Sequence, residues 1–184
     1  MAFCMMISDA EREILRKVAL DAAARAMGLR AAAPPEISAE SLLSRPAPVF
    51  VTWRKDGRSR GRGGTVTPGA GLVSLVEKHA VEALLHDPRF APATARELPR
   101  YAPEISVLFS FEEIPGAEGL LPGTHGVFVE KGKRRGVVLP QDAALFGWDG
   151  ARLLSQACLR AGLPEESWQA SSPPRLLRFT AEVF

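Results

Sequence analysis

Two turn signals constrain this chain more than any other feature. Val49-Phe50-Val51-Thr52-Trp53 has the β-branched and aromatic content of a strand, and Asp56-Gly57 follows it. An Asp-Gly pair favours the tight turn of a β-hairpin, because glycine adopts positive φ without steric cost. The return strand then carries Arg58, Arg60 and Arg62. The second signal, Lys131-Gly132-Lys133, stands between Gly126-Val127-Phe128-Val129-Glu130 and Arg135-Gly136-Val137-Val138-Leu139. Hairpin strands are antiparallel, and the helical patterns in this chain do not alternate with strands as βαβ units do. The expected fold class is therefore α+β, an antiparallel β-sheet flanked by helices.

The helices are legible from caps and spacing. Ser8 and Glu11 form a capping-box pattern, Ile14, Leu15, Val18, Ala22 and Met27 recur at helical intervals, and Gly28 suits the stop. Ala31 to Pro35 is a connector, in which Pro34 and Pro35 forbid helix and favour extended chain. A second helix is expected from Leu72 to His86, ended by Asp87-Pro88. Ile105 to Phe109 reads as a buried strand, Gln141–Phe146 and Gly150–Ala161 as helices, and Leu176–Phe184 as a closing extended segment. No internal repeat is visible.

At 184 residues and 46% hydrophobic, the chain suits a single domain that buries about 70% of its unfolded surface without a disulfide or metal staple. Cys4 and Cys158 are too few for a disulfide scaffold, and a reducing cytoplasm fits them best. No apolar run approaches the ~20 residues of a membrane span. The apolar opening, Met1 to Ile7, is short, lacks a basic lead and meets Asp9, Glu11 and Arg12 at once, so a signal peptide is not expected.

Net charge is only +2, which argues against nucleic-acid or membrane binding driven by total charge. The charge is unevenly spread, however. Arg54 to Gly64 holds five cations and one carboxylate, so the rest of the chain is net negative. On an extended strand Arg58, Arg60 and Arg62 share one face at intervals of about 6.5 Å. Gly61, Gly63 and Gly64 allow close approach to the backbone. Guanidinium forks grip carboxylate or phosphate at two points, so Arg60, Gly61, Arg62, Gly63 and Gly64 are the candidate ligand-binding residues, for a small anion. The plain alternative is a charged edge strand that discourages aggregation. Arginine-glycine runs also bind RNA, but this one is short and has no interleaved aromatic, which places nucleic acid below a small anion.

Other candidates are weaker. His79, Glu82 and His86 share a helix face, where a metal site or a carboxylate-held imidazole is conceivable, yet the spacing fits a solvated face better. Asp87-Pro88-Arg89-Phe90 reads as a helix stop and capped turn, with Arg89 paired to Asp87. His125, near Gly123 and Gly126, and Glu104, at the entry to an apolar strand, are the candidate catalytic acid–base groups. Glu104 needs a cationic partner, with Arg60 or Arg62 as the guess. Cys158 falls within an apolar helical periodicity and reads as a small buried residue. Trp148 and Trp168 read as packing residues. No metal site and no cofactor are expected.

Taken in order, several segments resemble a known family. These are Val51 to Gly57, the glycine motif Ser59-Arg60-Gly61-Arg62-Gly63-Gly64, Asp87 to Pro92, Glu97-Leu98, Glu104 to Leu108 and Gly123 to Gly126. Gly136 to Gln141, Gly147-Trp148, Cys158 to Pro164 and Phe179 to Phe184 complete the set. The ordered set is similar to the AMMECR domain family, whose prokaryotic members are called protein A of the AmmeMemoRadiSam system. The resemblance covers most of the chain and implies a single AMMECR-like domain over residues 1–184, with a larger and a smaller lobe and a cleft near the glycine motif. It also implies association with a Memo-type protein and a radical SAM enzyme, and it supplies no reaction. The family's motif is Leu-Arg-Gly-Cys-Ile-Gly. Here Arg60, Gly61 and Gly64 are kept, while Ser59 stands for leucine, Arg62 for cysteine and Gly63 for isoleucine. No thiol chemistry can run through Arg62, which has no thiol and stays charged.

Three functions compete on this reading. One is an accessory protein that holds an anionic small molecule at Arg60 and Arg62. The second is an enzyme using His125 and Glu104 near Arg60. The third is a protein-interaction module. Whether the chain is an enzyme is left open, and the first function stands ahead because packing explains its residues least.

Overall fold

A computed structural model describes residues 7–184, so Cys4 lies outside the described residues. The chain divides into two compact units: the residues up to Val107 with Glu182–Phe184, and Leu108–Ala181.

In the first unit, α1 spans Asp9–Ala26. The expected capping box is formed: Ser8 N–H donates to the Glu11 carboxylate at 3.0 Å, and Glu11 N–H to the Ser8 hydroxyl at 3.3 Å. The helix ends at Met27, and Gly28 takes a φ of 74°. β1 (Val49–Lys55) and β2 (Arg58–Thr65) are antiparallel and joined at Asp56-Gly57, both at positive φ as the hairpin turn requires. α2 runs from Leu72 to Leu85 and lies on the hairpin face that carries Val49, Val51 and Trp53, all fully buried. The Trp53 indole donates to the Ala80 carbonyl at 2.8 Å, which satisfies the one polar atom of the largest core side chain. Leu15, Val18 and Ala22 of α1 and Val76 and Ala80 of α2 complete this core. No helix among the described residues is long and apolar enough to cross a membrane.

The second unit also sets a hairpin directly ahead of helices. β4 (Gly126–Lys131) and β5 (Arg134–Val138) form the expected hairpin, turning at Gly132 with φ 63°. α3 (Pro140–Phe146) and α4 (Gly150–Arg160) follow. The core is Val127, Val129, Val138, Leu153, Leu154 and Ala157, with Cys158 buried among them as expected. Trp148 and Trp168 pack against its margin.

Two longer strands, β3 (Tyr101–Glu113) and β6 (Arg175–Val183), complete the sheet, in the order β2-β1-β3-β6-β4-β5. β3 pairs antiparallel with β1, and β6 with β4. The α+β class with an antiparallel sheet is thus the observed one. β3 extends the expected Ile105–Phe109 segment at both ends.

Candidate functional site

β2 is the terminal strand of the sheet order, so it presents one unpaired edge. Its pairing with β1 contains a bulge. Trp53 stands opposite Gly61 and Arg54 opposite Ser59, which leaves Arg60 as the extra residue. A bulge breaks the two-residue alternation, so the row of three arginines expected on one face is interrupted at Arg60. The Arg60 guanidinium lies over the Phe90 ring, 5.0 Å from its centroid.

Arg62 has a different partner. Its Nε donates to the Thr52 hydroxyl at 2.9 Å, and Thr52 is fully buried. On the far side of Thr52, in register on β3, stands Glu104. Arg62, Thr52 and Glu104 therefore form one row across three strands. Glu104 also accepts from Arg54 Nε at 2.7 Å, so a cation that sequence reasoning passed over holds this carboxylate.

The Asp87 turn serves β2 as well as α2. The Asp87 carboxylate accepts the Arg62 backbone N–H at 2.9 Å and the Arg89 N–H at 3.1 Å. Arg89 adds a two-point ion pair at 2.9 and 2.6 Å. These bonds, the Arg89 side chain foremost, outweigh burial and hold the Asp87 pKa at about 2. The turn and the Asp87–Arg89 pair were expected. The bond to the β2 edge was not, since nothing in the sequence relates position 62 to position 87.

An open recess of about 690 Å³ lies beside this edge, lined by Phe50, Arg62, Gly64, His86, Asp87 and Arg89 among others. Of the candidate ligand-binding residues, Arg62, Gly63 and Gly64 line it. The close approach that Gly61 permits is made by α2: a Cβ there would stand 1.9 Å from the Ala83 carbonyl oxygen. At Gly64 a Cβ would strike the Phe50 ring at 2.3 Å, so this glycine gives Phe50 its place.

His79 departs from the solvated face expected of it. Only 5% of it is exposed, because it shares the sheet-facing side of α2 with Leu75, Val76 and Ala83. Its Nδ1 is held 2.7 Å from the Glu82 carboxylate, the carboxylate-held imidazole named as a possibility, and Glu82 adjoins the Arg62 recess. His125 belongs to the second unit, where its Nδ1 accepts the Leu121 N–H at 3.1 Å. Burial and then the Arg178 cation lower its pKa from 6.5, against the opposing charge of Glu112. Among the described residues, no group of three or more His, Cys, Asp or Glu is placed to hold a metal ion.

Comparison with known proteins extends the picture. A protein of Aeropyrum pernix is 39% identical over 158 residues, 81% of this chain and 68% of its own length. One of Thermococcus gammatolerans is 37% identical over 157 residues, 83% of this chain and 66% of its own length. The chain thus spans about two thirds of these relatives. The crystal structure of the uncharacterized protein PH0010 from Pyrococcus horikoshii superposes with a TM-score of 0.87 at 31% identity, covering 96% of this chain and 92% of that one. The AMMECR1 family profile matches residues 16–184, which include the hairpin, the glycine motif and the Asp87 turn. The chain belongs to the AMMECR1 family.

Proposed function

We propose that the recess beside β2 binds a small anionic molecule, and that the chain acts as an accessory protein alongside a Memo-type protein and a radical SAM enzyme in the cytoplasm. The observation that carries the binding reading is that Arg62 and Arg89 line one recess together with Gly63, Gly64 and Phe50. Guanidinium groups suit carboxylate or phosphate, and the ring suits an apolar or planar body on the same molecule. Arg62 is pre-positioned by Thr52 and, through its own N–H, by Asp87. A site fixed in advance loses less ordering entropy when it binds. The resemblance supports the partners, and the recess supports the ligand class.

Thermal denaturation with a panel of aromatic carboxylates and phosphates tests the ligand. A compound at a hundredfold excess over its Kd should stabilise by about 2.7 kcal/mol, a rise of roughly 5–10 °C. Arg62→Cys, which restores the residue of the family motif, should abolish that rise. No shift with any member of the panel refutes the reading. Co-purification with each partner, and its failure, tests the accessory role separately.

A further inference from the structure

We propose that the open edge of β2 at Gly64 receives an extended acidic segment of a partner protein as an added strand. The hydrogen bonds locate that edge. In an antiparallel pair, backbone groups point alternately toward the neighbouring strand and away from it. The Arg62 N–H reaches Asp87 rather than β1, so residue 62 points away from β1. Gly64, two positions on in unbroken register opposite Phe50, points the same way. β2 ends the sheet order, so among the described residues no strand stands on that side. Among those residues nothing bonds the outward N–H or C=O of Gly64.

Three features favour a second backbone there over an isolated ion. Gly64 offers a donor and an acceptor side by side. Another residue's carbonyl and N–H match both in one exchanged pair, whereas an oxyanion meets only the donor. Gly64 also stands where two recesses adjoin, one of about 690 Å³ that includes Arg62 and Gly63, and one of about 590 Å³ that includes Thr65 and Thr67. A glycine has no side chain, so what Gly64 presents to both is backbone. Finally, neither Gly63 nor Gly64 has a side chain to hold an incoming chain away. Extended backbone from Arg62 to Thr65 runs about 10 Å, room for three or four added residues. Asp87 occupies the Arg62 N–H and so closes one end of the edge.

Charge selects the occupant. β2 carries Arg58, Arg60 and Arg62 and no carboxylate, and Lys78 lines the second recess. A second copy of β2 laid along the first would set like charges side by side, which is unfavourable. Carboxylates on the added strand complement this edge and steer its approach. The inference goes beyond the small-anion reading. It uses the same recess, but its bonds are to the Gly64 backbone.

The test is amide hydrogen exchange followed by NMR on the full chain. The probe is a peptide of alternating valine and glutamate, blocked at both ends. In the free chain the Gly64 amide should exchange fast, while the Gly63 amide, which faces β1, is protected. Saturating peptide should slow Gly64 exchange by about tenfold or more, and the same peptide N-methylated throughout should not. Lys78→Glu, a change at an exposed side chain, should weaken the peptide about fivefold. Unchanged Gly64 exchange overturns the proposal, and so does equal slowing by the N-methylated peptide. Protection in the free chain that is lost on dilution assigns the edge to a second copy and overturns it as well. Stabilisation by small anions without peptide protection of Gly64 refutes this inference alone. Peptide protection with no small-anion effect refutes the anion reading alone.

Discussion

Replacing Gly61 by alanine should cost far more than a methyl group ordinarily does. The new Cβ would lie 1.9 Å from the Ala83 carbonyl oxygen and 3.0 Å from its carbon, both backbone atoms of α2. Ordinary contact begins at 3.4 Å, so helix and strand must part by about 1.5 Å at this point. The Trp53 indole now donates to Ala80 one turn away at 2.8 Å, and that separation carries it out of hydrogen-bond range. Overpacking contributes about 1–3 kcal/mol and the orphaned buried donor a further 1–3. A loss of about 3 kcal/mol lowers the melting temperature of a chain this size by roughly 6–12 °C. Urea denaturation followed by tryptophan fluorescence measures it. Gly69→Ala is the control, since nothing lies within 4 Å of a Cβ there, and it should stay within about 1 kcal/mol of the parent. Gly136→Ala should resemble Gly61→Ala, because its Cβ would meet the Ala157 carbonyl at 2.0 Å. A Gly61→Ala protein within about 0.5 kcal/mol of the parent would refute the close-packing account of the motif.

Three further outcomes are expected. The folded pKa of Asp87, about 2, lies below its ordinary 3.8, so its contribution is complete above the ordinary value and is lost as pH falls through the folded one. Asp87→Asn should therefore destabilise by about 2 kcal/mol at neutral pH, with the gap closing toward pH 2, as denaturation at several pH values would measure. His125 should titrate below 6.5 in an NMR pH series, and Arg178→Gln should raise its midpoint, since Arg178 is one of the two causes of the lowering. Burial raises the Cys158 thiol pKa, so in a Cys4→Ser background a thiol reagent should label the protein only at the rate of unfolding.

Local chemistry accounts for what the sequence makes legible. Asp56-Gly57 and Lys131-Gly132-Lys133 place both hairpins, and Ser8 with Glu11 places the start of α1, because turns and caps are decided within four residues. The buried Cys158 follows from helical spacing alone. The candidate site is only partly legible in this way. Arg62, Gly63 and Gly64 line a recess as a glycine-arginine motif suggests, but the bulge sends Arg60 to Phe90 and α2 takes the space above Gly61. The burial of His79 was equally hidden, because a helix face looks solvated until the strand it packs on is known.

The sequence by itself determined the elements, their antiparallel class and the family, since each depends on short-range pattern or on an ordered set of motifs. Only the tertiary structure decided which donors meet which carboxylates: the Arg54 guanidinium with Glu104, and the Arg62 backbone N–H with Asp87. Those partners lie 50 and 25 residues apart in the chain. What brings them together is strand register and one bulge, and no local rule encodes either.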